Sequence, residues 1–243
     1  MNTKLQEIAA NIEKHPSETS GHIYHPLPFP EFQHLKTSSN PKSAYHKWDL
    51  IQRAIPSFPV STSLKMLDVG ANAGFYTFNF AKLGVHVDAY EPHTHYVDIG
   101  QQIVEATGLP VQWYNKPLEP PDLNGRSYDI ALMLSVFQWI SQGNKHLREA
   151  TDLLKLIANS SHLLFFELGC NHGKSHISTN ERSISWIWRL LQQNSAPKQV
   201  YFLGTTTAWG RAKRYLFACA DHPIHLTRWQ QTITHALNKR WIR

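Results

Sequence analysis

The stretch LDVGANAGFYTFNFAKLGVHVDAYEP, residues 67–92, decides the predicted fold. An apolar run ends at Asp68 and Val69, and a short run bounded by glycine is typical of a buried β-strand. The turn residues Gly70 to Gly74 then precede a helical pattern, and a second apolar run leads to the acidic residue Glu91. A strand, a tight turn, a helix and a second strand in this order predict a βαβ unit of a parallel sheet.

The same alternation continues through the rest of the chain. Apolar runs predict strands at 64–69, 85–90, 109–114, 128–134 and 161–168, and helical patterns predict helices at about 75–83, 93–107, 142–158, 181–193 and 226–239. Two further runs, 198–204 and 212–220, are separated by too few residues for a parallel crossover and therefore predict an antiparallel hairpin. The predicted fold class is α/β, with a mostly parallel seven-stranded sheet, an antiparallel C-terminal hairpin and an N-terminal helical arm.

Prolines set the N-terminal region apart. They are Pro16, Pro26, Pro28, Pro30 and Pro41. Prolines at this density disrupt both helices and strands, so residues 16–41 are predicted to be irregular, with helices on either side at 3–14 and 41–54. We therefore expect two domains: residues 1–60 form a helical and proline-rich arm that acts as a lid, and residues 61–243 carry the chemistry.

The glycine-rich turn indicates the kind of ligand. Gly70 allows the backbone to turn tightly, and Gly74 allows the helix and a ligand to approach closely. Glu91 follows Asp68 by 23 positions and is placed to accept both hydroxyls of a ribose. A carboxylate at Asp68 disfavours a pyrophosphate and favours a ligand with a cationic amino-acid end. The GxGxxG pattern of dinucleotide-dependent dehydrogenases, the alternative for such a unit, is absent.

These residues resemble motif I and the following acidic loop of class I S-adenosylmethionine-dependent methyltransferases. The resemblance covers roughly residues 64–168 and includes the strand YDIALML with Ser135-Val136-Phe137 after it. An antiparallel hairpin at the end of the sheet is also characteristic of that Rossmann-like fold. The resemblance implies an enzyme that binds S-adenosyl-L-methionine and transfers its methyl group.

Matched residue by residue, the resemblance implies a set of cofactor contacts. The methionine part, or the turn around it, would be held by Asp68, Gly70, Ala71, Asn72 and Gly74. Glu91 would bind the ribose, and Pro92 would flank the adenine. Leu134 and Ser135 would line the floor beneath the sulfonium. Lys116 would contact the adenine from the end of the third strand, with an ordinary strand-end turn as the alternative.

Two narrower resemblances compete. The string DVGANAGFYTFNFAKLG is similar to FkbM-type methyltransferases, although LLFFELGC stands where those carry a KxDxEG motif. A longer resemblance is to the methyltransferase module of kinase–methyltransferases that cap bacterial O-antigen polysaccharides. Its matches are Tyr24, residues 47–51, SVFQWI at 135–140, FFEL at 165–168, and the hairpin residues 201–203 and 213–217. The chain departs from that family at Gln138 and Trp139, where the family has two histidines.

The longer resemblance implies a terminal phosphate as the methyl acceptor. Methyl transfer requires the acceptor, carbon and sulfur to lie in line, and an anionic phosphate oxygen needs cations to position it rather than a general base. The candidate cations are Arg211, Lys213, Arg214 and Lys36. Arg214 is favoured because it aligns with a doubled arginine of the family.

A hydroxyl or amine acceptor would instead need a general base. The candidates for that role are His25, His46, His172 and Glu167. Tyr24, in the proline-rich arm, could close over the cofactor. The predicted catalytic residues are therefore Tyr24, Glu167 and Arg214.

Composition excludes several other classes. Hydrophobic residues make up 42% and charged residues 17% of the chain, which excludes a disordered protein. No apolar run approaches the roughly 18 residues of a membrane span, and the N-terminus lacks the apolar core of a signal peptide. Only two cysteines are present, so a reducing, cytoplasmic location is expected. Cys170, His172 and His176 are near neighbours but do not supply four metal ligands, so no metal is expected.

The positive charge is concentrated at the C-terminal end. Residues 181–243 contain ten Lys or Arg and two Asp or Glu, together with five of the eight Trp. This pattern favours an anionic partner, either a phosphorylated compound or a nucleic acid. The predicted function is methyl transfer to an oxygen of a small-molecule or glycan acceptor that is anionic. A nucleic-acid methyltransferase acting on RNA and a non-catalytic cofactor-binding subunit are the alternatives.

Overall fold

The computed structural model describes residues 2–55, 63–170, 176–207 and 212–241. Within these residues the helices are α1 (Thr3–Lys14), α2 (Pro41–Ala54), α3 (Phe75–Ala81), α4 (Thr94–Thr107), α5 (Phe137–Ser141), α6 (Leu147–Asn159), α7 (Ser183–Asn194) and α8 (Arg228–Trp241). The strands are β1 (Lys65–Val69), β2 (His86–Tyr90), β3 (Val111–Tyr114), β4 (Tyr128–Leu134), β5 (Ser161–Leu168), β6 (Gln199–Thr207) and β7 (Lys213–Ala220). Short 3-10 helices lie at Pro30–Phe32 and Pro120–Leu123.

The strands form a seven-stranded sheet in the order β3-β2-β1-β4-β5-β7-β6. Strand β2 pairs in parallel with β1 and β3, and β4 pairs in parallel with β5. Strand β7 runs antiparallel to both β5 and β6. The predicted α/β class is therefore confirmed, with its mostly parallel sheet, its antiparallel C-terminal hairpin and its N-terminal helices.

One predicted helix differs from the structure at its start. The helix expected over 142–158 begins at Leu147, and the shorter helix α5 precedes it. Between the two helices, Gln142 and Gly143 adopt φ angles of 45° and 71°. The prediction was wrong there because two consecutive residues in the left-handed region end a right-handed helix.

The chain divides into two compact units by its packing. The first unit comprises Met1–Tyr45 and Ser63–Leu118, and the second comprises His46–Thr62 and Glu119–Arg243. The functional division into an arm, 1–60, and a catalytic domain, 61–243, stays a prediction.

In the first unit, aromatic side chains form much of the core around β1, β2 and β3. Helix α3 buries Phe75, Tyr76, Phe78 and Phe80. A Cβ atom at Gly100 of α4 would come within 2.3 Å of the Trp113 ring, so glycine at this position lets the indole pack against the helix.

The proline-rich segment of the first unit is irregular, as predicted, but it is packed. An isolated β-bridge joins Ile23 to Thr37, and one 3-10 helix interrupts the segment. The buried apolar residues of this segment are Ile23, Leu27, Phe29, Phe32 and Leu35.

In the second unit, helix α2 lies close to the C-terminal hairpin. The pairing of β6 with β7 is irregular between Phe202 and Gly204. A Cβ atom at Gly204 would lie 2.8 Å from Cδ1 of Leu50, so glycine permits this close approach. Lys47 lies one helical turn before Leu50 on the same side of α2. The close packing therefore brings the Lys47 side chain to the sheet.

The described residues contain neither a membrane-spanning helix nor a metal-binding cluster. In that part of the chain, no helix has both the length and the apolar character needed to cross a membrane. Likewise, no group of three or more His, Cys, Asp or Glu residues there is arranged to hold a metal ion. His172, considered above for such a group, lies outside the described residues.

Candidate functional site

The glycine-rich turn between β1 and α3 has an unusual backbone conformation. Gly70, Asn72 and Gly74 adopt φ angles of 71°, 52° and 99°. Such angles suit glycine and, among other residues, asparagine. The amides of Gly70 and Ala71 both donate to the carbonyl of Tyr90, at 2.9 and 3.1 Å. The turn is therefore held against the end of β2.

Glu91 ties this turn to the loop that follows β2. Its side chain is buried, and its two carboxylate oxygens accept from different backbone amides. The Asn72 amide donates to Oε2 at 2.8 Å, and the His93 amide donates to Oε1 at 3.0 Å. A carboxylate offers about four acceptor positions, so these two bonds leave room for further donors.

Asp68, at the end of β1, is buried beside α3. It accepts a hydrogen bond of 2.6 Å from the Thr77 hydroxyl. Burial raises the pKa of the Asp68 carboxyl to about 7, an effect that the Glu91 carboxylate reinforces and the Thr77 hydrogen bond opposes. Asp68 therefore exchanges a proton near neutral pH.

Asn72 carries a polar atom that the chain leaves unsatisfied. Its Oδ1 is buried and accepts no hydrogen bond from any residue that the structure describes. An unsatisfied buried acceptor costs about 1–3 kcal/mol, and a ligand that brings an N–H or O–H donor would remove this cost.

The residues expected around an adenine lie at the ends of β2 and β3. Pro92 and Lys116 are both exposed. Asn115 caps this edge, since its Nδ2 donates to the carbonyls of Glu91 and Pro92, each at 3.2 Å. The rings of Tyr90 and Tyr114 stack with centroids 4.4 Å apart. The Asn115 side chain thus stabilises the turn at the end of the strand.

The N-terminal segment packs on the start of α3. The His25 ring lies 6.2 Å from Phe75, the residue directly after Gly74, and the Tyr45 ring meets Phe75 edge-on at 5.2 Å. Tyr24 is half-buried and meets His25 edge-on at 4.6 Å. Tyr24 thus belongs to a cluster of rings next to the glycine-rich turn.

A buried ionic cluster lies in the second unit, centred on Glu167 near the end of β5. Glu167 has no exposed surface, and Lys47 and Arg214 are 7% and 6% exposed. Lys47 Nζ donates to Glu167 Oε2 at 2.6 Å, and the hydroxyls of Ser135 and Thr206 also donate to this carboxylate. Three donors therefore engage Glu167.

Arg214 completes this cluster from β7. Its Nη1 lies 3.9 Å from Glu167 Oε2, an ion pair beyond hydrogen-bond distance. Arg214 is paired with Thr206 across β6 and β7, and neighbouring Lys213 is exposed, as strand alternation predicts. Arg211, another predicted cation, lies outside the described residues.

Burial and the neighbouring charges shift the pKa values of Glu167 and Lys47 in this cluster. Burial raises the pKa of the Glu167 carboxyl, but the charges of Lys47 and Arg214, together with the hydrogen bonds from Lys47 and Ser135, outweigh burial and hold this pKa below the usual value. Burial lowers the pKa of the Lys47 ammonium, while Glu167 opposes this change and Arg214 adds to it. The 2.6 Å distance between Lys47 Nζ and Glu167 Oε2 fits a charge-assisted hydrogen bond between a protonated Lys47 and an ionised Glu167.

The loop after β4 is held in a strained conformation against the same carboxylate. Ser135 has a φ angle of 61°, which costs a non-glycine residue about 1 kcal/mol. Its amide donates to the Glu167 carbonyl at 2.9 Å, and its carbonyl accepts from Gln138 Nε2 at 2.7 Å. Leu134, directly before it, is half-buried. Gln138 is fully buried and braces this loop, so it has a positioning role.

Lys47 and Thr206 are members of the ionic cluster that the sequence interpretation missed. A signal for Lys47 was available in the pattern of α2. The buried positions of this helix are Ala44, Lys47, Ile51 and Ala54. A lysine within an otherwise apolar stripe indicates a buried charge with a partner elsewhere. No comparable signal distinguishes Thr206 from the threonines beside it.

Comparisons with known proteins agree with this architecture. Residues 66–156 match a family model described as a methyltransferase domain. A crystal structure of WbdD with a kinase inhibitor superimposes with a TM-score of 0.68 at 14% identity, covering 90% of this chain and 48% of that one. A second WbdD structure, described as a bifunctional kinase-methyltransferase, gives a TM-score of 0.61 at 16% identity, covering 88% and 46%.

A third similar structure is the N-terminal domain of EvdMO1 in the presence of SAH and D-fucose. It gives a TM-score of 0.57 at 12% identity, covering 90% of this chain and 97% of that one. The chain spans about half the length of the WbdD chains that it matches. No curated protein sequence gives a significant match.

The fold, the glycine-rich turn and the matched region together define the class of the protein. Residues 66–156 carry a methyltransferase domain, within a fold that the chain shares with the WbdD and EvdMO1 structures. This match agrees with the predicted enzyme class and with the predicted cofactor, S-adenosyl-L-methionine.

Proposed function

We propose that the protein transfers the methyl group of S-adenosylmethionine to an anionic oxygen of a small-molecule or glycan acceptor. The observation that supports an anionic acceptor is the buried guanidinium of Arg214. This group makes no hydrogen bond to any residue in the described ranges, and its one ion pair is long. A guanidinium offers five N–H donors in a planar fork that suits phosphate and carboxylate groups.

The proposed cofactor contacts are those of the predicted motif. The residues proposed to hold the methionine part are Asp68, Gly70, Ala71, Asn72 and Gly74. Asn72 Oδ1 fits this role because it lacks a donor, and an amino-acid ammonium supplies one. Glu91 retains acceptor positions for ribose hydroxyls. Pro92 and Lys116 are exposed where the adenine would lie, and Leu134 and Ser135 remain proposed cofactor contacts.

Methyl transfer to an anionic oxygen requires the protein to align that oxygen with the methyl carbon and the sulfur, but does not require proton transfer. When bound, S-adenosylmethionine supplies an electrophilic methyl group on a positively charged sulfur. Glu167 is a poor general base, because three donors engage its carboxylate and two cations lower its pKa. Gln138 cannot act as a base. An acceptor that arrives with an anionic oxygen needs no base, and Arg214 would position that oxygen.

The similarity to WbdD supports phosphate as the anionic group. WbdD is described as a bifunctional kinase-methyltransferase, and a kinase generates phosphate esters. A methyltransferase domain with the same fold is therefore a reasonable candidate for methylating a phosphorylated compound. Both cysteines of this chain are buried and free, which is consistent with the cytoplasmic location that we propose.

Arg214→Ala tests the proposed acceptor class. We expect affinity for S-adenosylhomocysteine to stay within about twofold, and turnover of a phosphorylated acceptor to fall at least about 30-fold, or ~2 kcal/mol in transition-state terms. The measurements are calorimetry and methyl transfer to a panel of phosphorylated and neutral sugars. Lys213→Ala, which changes the exposed neighbour, is the matched control. Efficient turnover of a neutral acceptor by both variants would overturn the anionic assignment.

We also propose that residues 16–41 cover the bound cofactor. Their rings already contact Phe75 beside the glycine-rich turn, and Lys82 Nζ donates to the Pro28 carbonyl at 2.8 Å. The Tyr96 hydroxyl also donates to Glu18. These contacts hold a segment without regular structure against the cofactor-binding turn, an arrangement that suits a lid.

Limited trypsin digestion tests the lid. Lys36 is the one Lys or Arg between residues 16 and 41, and cleavage after it requires the Ile23–Thr37 bridge to open. We expect S-adenosylhomocysteine to slow this cleavage at least about fivefold, since cleavage of a locally opened site follows the open population. Cleavage after Arg126, before β4, is the internal control. Equal rates at Lys36 with and without the ligand would indicate a fixed arm.

A further inference from the structure

The buried cluster of the second unit contains one more positive charge than negative. Its members Lys47, Glu167 and Arg214 come from α2, β5 and β7, and their side chains are 8%, 0% and 7% exposed. Lys47 and Arg214 are the charged groups that shift the pKa of Glu167. With Glu167 ionised and both cations protonated, the cluster carries a net charge of plus one.

The hydrogen bonds show which charge is left over. Glu167 is engaged by Lys47, Ser135 and Thr206, so its carboxylate has little capacity for Arg214. Arg214 stands 3.9 Å away and makes no hydrogen bond to the described part of the chain. Lys47 and Glu167 thus form a hydrogen-bonded ion pair, and the guanidinium of Arg214 is the cation of the cluster that makes no hydrogen bond to the described residues.

A buried excess charge is costly unless a counter-charge compensates it. Proteins bury ionised groups mainly in pairs, because removal from water is expensive and a matched partner recovers part of that expense. Among the described residues, Glu167 is the one negative charge paired with these two cations. A single negative charge beside Arg214 would make the cluster neutral, whereas a second one would create the opposite excess.

We infer that this cluster is the binding site for the anionic group of the acceptor, and that it takes one negative charge per site, so that a phosphate monoester, whose second pKa is about 6, binds there as its monoanion. This inference rests on the proposed function and adds two roles to it. Lys47 is a positioning residue, which holds Glu167 in place beside the anion site. Glu167 sets the charge of the site: its carboxylate offsets one of two cations and so limits the site to a singly charged group. In this role Glu167 removes no proton from the acceptor.

The test is a series of variants that differ in the charge of the cluster. Dimethyl phosphate, which carries one negative charge, serves as the probe, and its binding is followed by NMR titration without cofactor. We expect Glu167→Gln, which raises the cluster to plus two, to bind the probe at least tenfold more tightly than the wild type. Arg214→Gln, which lowers it to zero, should bind at least tenfold more weakly. Lys213→Gln, at the exposed neighbour, should match the wild type.

Two variants of Arg214 keep the test decisive if Glu167→Gln does not fold. Arg214→Lys preserves the positive charge whereas Arg214→Gln removes it, and we expect Arg214→Lys to bind the probe more tightly. Sulfate, with two negative charges, should gain more than dimethyl phosphate from Glu167→Gln. The inference would be overturned if all Arg214 variants bound the probe with equal affinity. It would also be overturned if Lys213→Gln weakened binding as much as Arg214→Gln does.

The outcome is separable from that of the proposed function. Methyl transfer to a phosphorylated acceptor that is lost in Arg214→Ala, together with a flat charge series, would leave the proposed function standing and remove the charge inference. A graded charge series without methylation of any anionic acceptor would leave the anion site standing and remove the proposed function. Affinity for S-adenosylhomocysteine, measured on every variant, reports that the fold is intact.

Discussion

Lys47→Met is expected to lower the free energy of unfolding by about 3–5 kcal/mol, because it leaves Glu167 buried without its closest cation. The ammonium lies 2.6 Å from the carboxylate, and both side chains are buried. Methionine fills a similar volume and keeps helix propensity, so the loss reports the ion pair. Urea unfolding monitored by circular dichroism measures the change.

Arg53→Met on the same helix is the matched control for this prediction. Arg53 pairs with Asp49 at 2.8 Å, but the two side chains are 71% and 45% exposed. An exposed pair at this spacing contributes about 0.5 kcal/mol or less. Equal destabilisation by Lys47→Met and Arg53→Met would show that the buried pair does not stabilise the fold.

Glu91→Ala is expected to weaken S-adenosylmethionine binding at least tenfold, equivalent to about 1.4 kcal/mol. The carboxylate does two things that alanine cannot do. It is the proposed acceptor for the ribose hydroxyls, and it holds the amides of Asn72 and His93 in place. Hydrogen bonds to a charged group contribute about 1.5–3 kcal/mol each, so the turn should also loosen.

Calorimetric titration with S-adenosylmethionine measures this effect. Glu105→Ala, which removes an exposed carboxylate from α4 of the same unit, is the control and should bind like the wild type. A thermal melt of each variant separates a loosened turn from general unfolding. Unchanged affinity in a folded Glu91→Ala protein would remove Glu91 from the cofactor site.

The fold could be predicted because its signals are local. Buried parallel strands have continuous apolar runs, and β4 and β5 begin and end at the predicted residues. The glycine-rich turn could be predicted for the same reason. Gly70 and Gly74 lie between an apolar run and a helical pattern, and glycines in such a position mark a turn. The left-handed conformation of Gln142 was missed because glutamine rarely marks a helix end.

The ionic cluster could be predicted only in part, because its contacts are long-range. Arg214 and Glu167 were each singled out for catalytic roles that stay predictions, and the alternation of β7 correctly places Arg214 on the buried face and Lys213 on the exposed one. Lys47 and Glu167 are 120 residues apart, and their contact depends on how closely α2 approaches the hairpin. That approach depends on a glycine, Gly204, opposite Leu50. Nothing in the local pattern of either segment indicates this pairing.

The pKa of about 7 at Asp68 has a consequence for how the protein would take up its ligand. A carboxyl that is half protonated near neutrality cannot attract a cation fully until it releases its proton. Binding of a positively charged group beside it is therefore an exchange, in which a proton leaves as the cation arrives. Acidification favours the proton in this competition, and a rise in pH favours the cation. If Asp68 holds the cationic end of the ligand, as proposed, uptake of that ligand becomes linked to the acidity of the surroundings through one buried side chain.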